Sequence, residues 1–110
     1  MDVLACYCTC PDLASAERLA EALVGERLAA CVNVLPGLRS VYRWRGTVER
    51  ADEVLLLIKT TRERLDALAA RVQALHPYEL PELLAVEAAG GLPAYLDWVA
   101  AESRAPGLGA

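Results

Sequence analysis

Four cysteines and a single histidine are the residues of this 110-residue chain best suited to chemistry. Cys6, Cys8 and Cys10 recur at every second position, which places them on one face of an extended strand. Three thiols on one face offer a soft site for Cu(I) or Zn. Free cysteine also packs as a small buried hydrophobe, and Cys-x-Cys-x-Cys is not the Cys-x-x-Cys spacing of a zinc knuckle. Both readings stay open. Cys31 opens a second extended stretch and reads first as a packing residue. His76 lies where a helix should end, just before Pro77-Tyr78-Glu79. Imidazole there serves as a metal ligand, with its cationic form favoured by the helix C-terminus, or else caps the last helical carbonyls.

A second set combines aromatic and charged groups: Tyr42, Trp44, Lys59, Tyr78, Glu79 and Glu82. Together they describe a ligand or interface cluster, although an ordinary salt-bridge network explains them as well. No Gly-rich phosphate loop and no nucleophile elbow is present. Cys8 with His76 would make a Cys–His pair, but no third residue orients it. Enzyme activity is the weaker reading.

The hydrophobic period shows which elements position these residues. Val3–Thr9 is apolar on both parities and reads as a strand covered on both faces. Asp12 is a plausible N-cap for a helix running to about Ala29, with Gly25 late in it. Cys31 to Val48 is extended, interrupted by a bend or bulge at Pro36-Gly37. Glu49-Arg50-Ala51-Asp52 reads as a polar connection to a strand over Glu53–Thr60, the two strands forming an antiparallel hairpin. A capping box at Thr60 and Glu63, or Thr61 directly, then starts a helix that Pro77 stops. Leu83–Ala89 is a fourth strand, Gly90-Gly91 a turn, and Pro93 to about Glu102 a terminal helix. The order β-α-β-β-α-β plus one helix is an α+β, ferredoxin-like arrangement: a four-stranded antiparallel sheet with two helices on one face. It reads as one domain over residues 1–104 and a flexible C-terminal tail over residues 105–110.

Composition narrows the function. Apolar residues make up 55% of the chain, and a chain of this size leaves roughly 35–40% of its unfolded surface exposed after folding. Strands apolar on both faces, in a fold whose helices cover one, point to association between subunits. A net charge of −4 argues against a nucleic-acid partner. No apolar run reaches membrane-spanning length, and the N-terminus lacks the basic region of a secretory signal. The chain is therefore expected to be cytoplasmic, where its thiols stay reduced.

The sequence resembles the CutA family of divalent-ion tolerance proteins over nearly its whole length. The likeness rests on Thr9-x-Pro11-Asp12, Arg27-Leu28-Ala29-Ala30-Cys31-Val32-Asn33, and Pro36-Gly37 followed by Ser40-x-Tyr42-x-Trp44-x-Gly46. It continues through Lys59-Thr60-Thr61, His76-Pro77-Tyr78-Glu79-x-Pro81-Glu82 and Tyr95-Leu96-x-Trp98. The resemblance implies a compact cytoplasmic homotrimer linked to tolerance of copper and other divalent cations. It implies Cys8 and His76 as metal ligands, with copper or another divalent metal bound and no organic cofactor. Some copper-binding members carry a further histidine where this chain has Leu75; Cys6 or Cys10 would have to compensate. The leading expectation is thus a non-enzymatic, metal-binding trimer. The alternatives are a small-ligand signalling trimer comparable to PII regulators, with ligands in inter-subunit clefts, and a structural or partner-anchoring trimer without a ligand.

Overall fold

The computed structural model describes residues 2–105. Its elements are β1 (Val3–Cys10), α1 (Leu13–Gly25), β2 (Cys31–Trp44), β3 (Thr47–Thr61), a 3-10 turn at Arg62–Arg64, α2 (Leu65–Leu75), β4 (Leu84–Glu87) and α3 (Pro93–Glu102). The four strands form one sheet in the order β2-β3-β1-β4, with every pairing antiparallel. This is the expected ferredoxin-like α+β arrangement, with β1 and β3 central. Residues 106–110 of the expected tail lie outside the described residues. Among the described residues no helix is long and apolar enough to cross a membrane.

Alternation along β1 sorts its side chains. Leu4, Cys6, Cys8 and Cys10 are fully buried, and they pair with Thr60, Ile58, Leu56 and Val54 of β3. Ala16, Leu19 and Leu23 of α1 and Leu68 and Val72 of α2 close over this face to complete one continuous core. Their three- and four-residue spacing is the stripe of a helix covering a sheet. On the opposite parity, Tyr7, Leu35, Leu84 and Val86 remain exposed. Both sheet faces are apolar, as the sequence indicates, and α1 and α2 cover only one of them.

The helix boundaries follow local chemistry. Asp12 caps α1 by accepting the Ser15 N–H at 2.7 Å. That helix stops at Gly25, short of Ala29, because Arg27 adopts a left-handed conformation (φ 59°) that turns the chain toward β2. The Arg27 guanidinium then donates to the carbonyls of Ala101 and Arg104 at the end of α3, groups a helix cannot satisfy itself. The expected capping box is not formed. Thr60 instead points into the core and donates to the Leu28 carbonyl at 2.7 Å, and Thr61 makes no side-chain cap. α3 packs against β1 and β3 and buries Val99 and Ser103 apart from the main core.

The hairpin differs most from expectation. Glu49–Asp52 is not a connection but part of β3, paired residue for residue with β2 out to Trp44↔Thr47. The turn is Arg45-Gly46, both at positive φ (51° and 82°), the signature of a tight two-residue hairpin loop. The register shifts once, between Leu35 and Leu38, at the expected Pro36-Gly37 interruption. Beyond it the two strands pair only with each other and form a projecting arm. β4 is also shorter than expected, covering Leu84–Glu87.

Candidate metal centre

The centre is built where the end of α2 meets the end of β1. Pro77 disfavours helical geometry at the residue before it, so His76 is extended (φ −73°, ψ 139°) and leaves the helix. Its ring does not return to the helical carbonyls. Nε2 lies 2.7 Å from the Thr9 carbonyl oxygen and 3.7 Å from Cys10 Sγ, while Nδ1 accepts the Tyr78 N–H at 3.0 Å. An imidazole that accepts at Nδ1 is the neutral form, not the cation expected from a helix C-terminus. All three side chains, Cys8, Cys10 and His76, are buried, and their ligand atoms lie within 4.8 Å of one another. Metal–sulfur bonds of about 2.3 Å and metal–nitrogen bonds of about 2.0 Å let one ion reach such a set.

The two thiols are inequivalent. Cys8 hydrogen-bonds to Cys10, which pushes Cys8 well above the ordinary thiol range, and burial adds to the effect. The same bond lowers Cys10, with burial and the nearby carboxylates opposing it. Glu53 and Glu82 add negative potential at Cys8, and Asp12 and Glu53 at Cys10. A cation is the ligand such surroundings favour. Cys6 shares the face of the strand but not the cluster; burial pushes it up to about 11. Cys31 is half-buried and pairs with Lys59 across β2 and β3.

A family model described as CutA1 divalent ion tolerance protein matches residues 4–102. This chain belongs to that family. The divalent-cation tolerance protein CutA of Thermus thermophilus is 53% identical over 91 residues, covering 83% of this chain and 88% of the relative. That of Pectobacterium atrosepticum is 46% identical, covering 94% of each. The crystal structure of CutA from Xylella fastidiosa superposes with a TM-score of 0.91 at 51% identity, covering 94% of this chain and all of that one.

In this CutA1-family chain the aromatic and charged residues separate into three places. Tyr78 and Glu82 stand beside the thiols: the Tyr78 hydroxyl donates to Glu53 Oε2 at 2.7 Å, and Thr9 donates to Glu82 at 3.4 Å. Burial first, then the Glu53 carboxylate, pushes the Tyr78 phenol up; Tyr42 adds to the same shift. Glu79 and Trp44 meet through Arg45, which pairs with Glu79 at 2.8 Å and lies 5.2 Å above the Trp44 ring. Lys59 is removed from both groups and hydrogen-bonds Asn33 on the uncovered sheet face. Cys10 joins Cys8 because strand alternation puts them together, a signal visible in the sequence. Glu53 carries no such signal, since only the tertiary fold brings it beneath Tyr78.

Proposed function

We propose that this protein is a non-enzymatic, cytoplasmic homotrimer that serves divalent-cation tolerance by holding copper, or another thiophilic ion, at the Cys8–Cys10–His76 centre. The observation that carries the reading is the convergence of two thiols and an imidazole, all buried, within 4.8 Å. Soft donors of this kind select copper and zinc over hard cations. Membership of a family named for divalent-ion tolerance supports the same reading. Trimer formation is supported by the apolar sheet face and by an arm that, among the described residues, pairs with no third strand. Four free thiols suit a reducing compartment.

The test is metal analysis of protein purified without added metal, followed by copper and zinc titration of the wild type and of the Cys8→Ala/Cys10→Ala double variant. Stoichiometric uptake by the wild type and its loss in the double variant are expected. Equal uptake by both proteins refutes the assignment.

A further inference from the structure

We propose that copper is held here as Cu(I) by the two thiolates alone, with His76 keeping its Nε2 proton and supporting Cys10 as a hydrogen-bond donor instead of ligating the ion. The inference rests on the metal-binding reading above and divides the work among its three residues.

The hydrogen bonds of His76 fix its tautomer. Nδ1 accepts the Tyr78 N–H, so its lone pair is occupied and the ring proton belongs on Nε2. Nε2 in turn faces the Thr9 carbonyl at 2.7 Å, an acceptor with no proton to offer. Ligation through Nε2 would move the proton to Nδ1. That would set N–H against N–H at Tyr78 and lone pair against lone pair at Thr9. Two good hydrogen bonds around a buried ring would both become repulsive contacts. Left as it is, Nε2 gives its proton to the Thr9 carbonyl and lies 3.7 Å from Cys10 Sγ, close enough to share that proton with the sulfur as a longer second acceptor.

The two thiols suit a monovalent ion. Cu(I) binds Cys8 and Cys10 as thiolates: the S–H bonds break, two Cu–S bonds form, the thiol protons leave to solvent, and no electron is transferred. Cu(I) is satisfied by two soft sulfurs, whereas Zn(II) in a closed site takes four ligands. Among the described residues no carboxylate joins the cluster, and Glu53, the nearest buried one, already accepts from Tyr78.

His76 is the only histidine in the chain, so its ring nitrogens are assignable without ambiguity by long-range ¹H–¹⁵N NMR. The intact protein is loaded anaerobically with Cu(I), and in parallel with Zn(II). Affinities are read by competition with bicinchoninate for Cu(I) and with a chromophoric chelator for Zn(II). The Nε2–H pattern should persist on Cu(I) loading. Cys8→Ala and Cys10→Ala should each weaken Cu(I) binding by about 1,000-fold or more. His76→Gln, which retains a side-chain N–H donor, should weaken it by only about 10-fold. A switch of His76 to the Nδ1–H form on Cu(I) loading overturns the inference, as does a loss in His76→Gln equal to that in Cys8→Ala. Zn(II) binding without Cu(I) binding overturns it while leaving the metal reading intact; failure to bind either ion removes both.

Discussion

The Cys6 thiol gives a quantitative handle on the core because it is fully buried and takes no part in the metal cluster. It pairs with Ile58 on one side and Ala85 on the other, and burial raises it from 9.0 to about 11. An acid raised in the folded state keeps its proton there, while the unfolded chain releases it. Its contribution to stability is therefore complete below pH 9 and lost as pH rises through 11. The gap corresponds to about 2.7 kcal/mol in full, of which about half is gone by pH 10. Cys6→Ala removes this dependence and leaves a small cavity costing about 1–2 kcal/mol at neutral pH. In guanidinium unfolding followed by tryptophan fluorescence at fixed protomer concentration, the variant should be less stable at pH 7.5. It should match the wild type near pH 10 and exceed it at pH 11. The other thiols and the assembly equilibrium are common to both proteins and cancel in the comparison. Stability curves that fall in parallel across this range would refute the reasoning, since they would mean that the buried thiol ionises as readily as an exposed one.

Tyr78→Phe should cost about 1–3 kcal/mol in chemical denaturation, because the buried Glu53 carboxylate loses its hydroxyl donor. The wild type should also lose stability above pH 10, where unfolded tyrosine ionises and folded Tyr78 does not, a component the variant lacks. Gly46→Val should destabilise by about 1–2 kcal/mol in the same assay, the cost of a branched residue at φ 82° where no neighbour is close enough to clash. Leu84→Glu, on the uncovered sheet face, should dissociate the proposed trimer in sedimentation equilibrium; an unchanged mass would place the interface elsewhere.

The order of elements was legible because each core element shows its period: Val54 to Ile58 a strand, Leu65 to Val72 a helix. The arm departs from the pattern of the sequence for a physical reason. Neither face of Glu49–Asp52 is covered within the chain, so nothing imposes an alternation of apolar and polar residues there. Thr60 resembles a capping residue in sequence, yet its hydroxyl is drawn to a buried carbonyl thirty-two positions away. At the candidate site, alternation alone places Cys8 beside Cys10. The docking of His76 onto Thr9 and of Tyr78 onto Glu53 depends on where α2 ends against β1, which no local pattern encodes.

The interruption at Pro36-Gly37 sets two residues of β2 against Val54 alone, since Leu35 faces Leu55 and Leu38 faces Glu53. Before it, even-numbered residues such as Val32 and Val34 pack toward the helices. After it, the even positions Leu38, Ser40 and Tyr42 change sides with respect to the odd ones. The bulge thus acts as a frameshift in space. Deleting one residue there would restore a regular ladder and keep every arm pair, from Leu38↔Glu53 to Trp44↔Thr47, on its present face, because β3 runs through without interruption. Deleting both would leave β2 one residue short opposite Val54, so its side chains in the arm would slip by one position and turn to the other face. The bulge is therefore a slack of one residue, able to absorb a single-residue loss and no more.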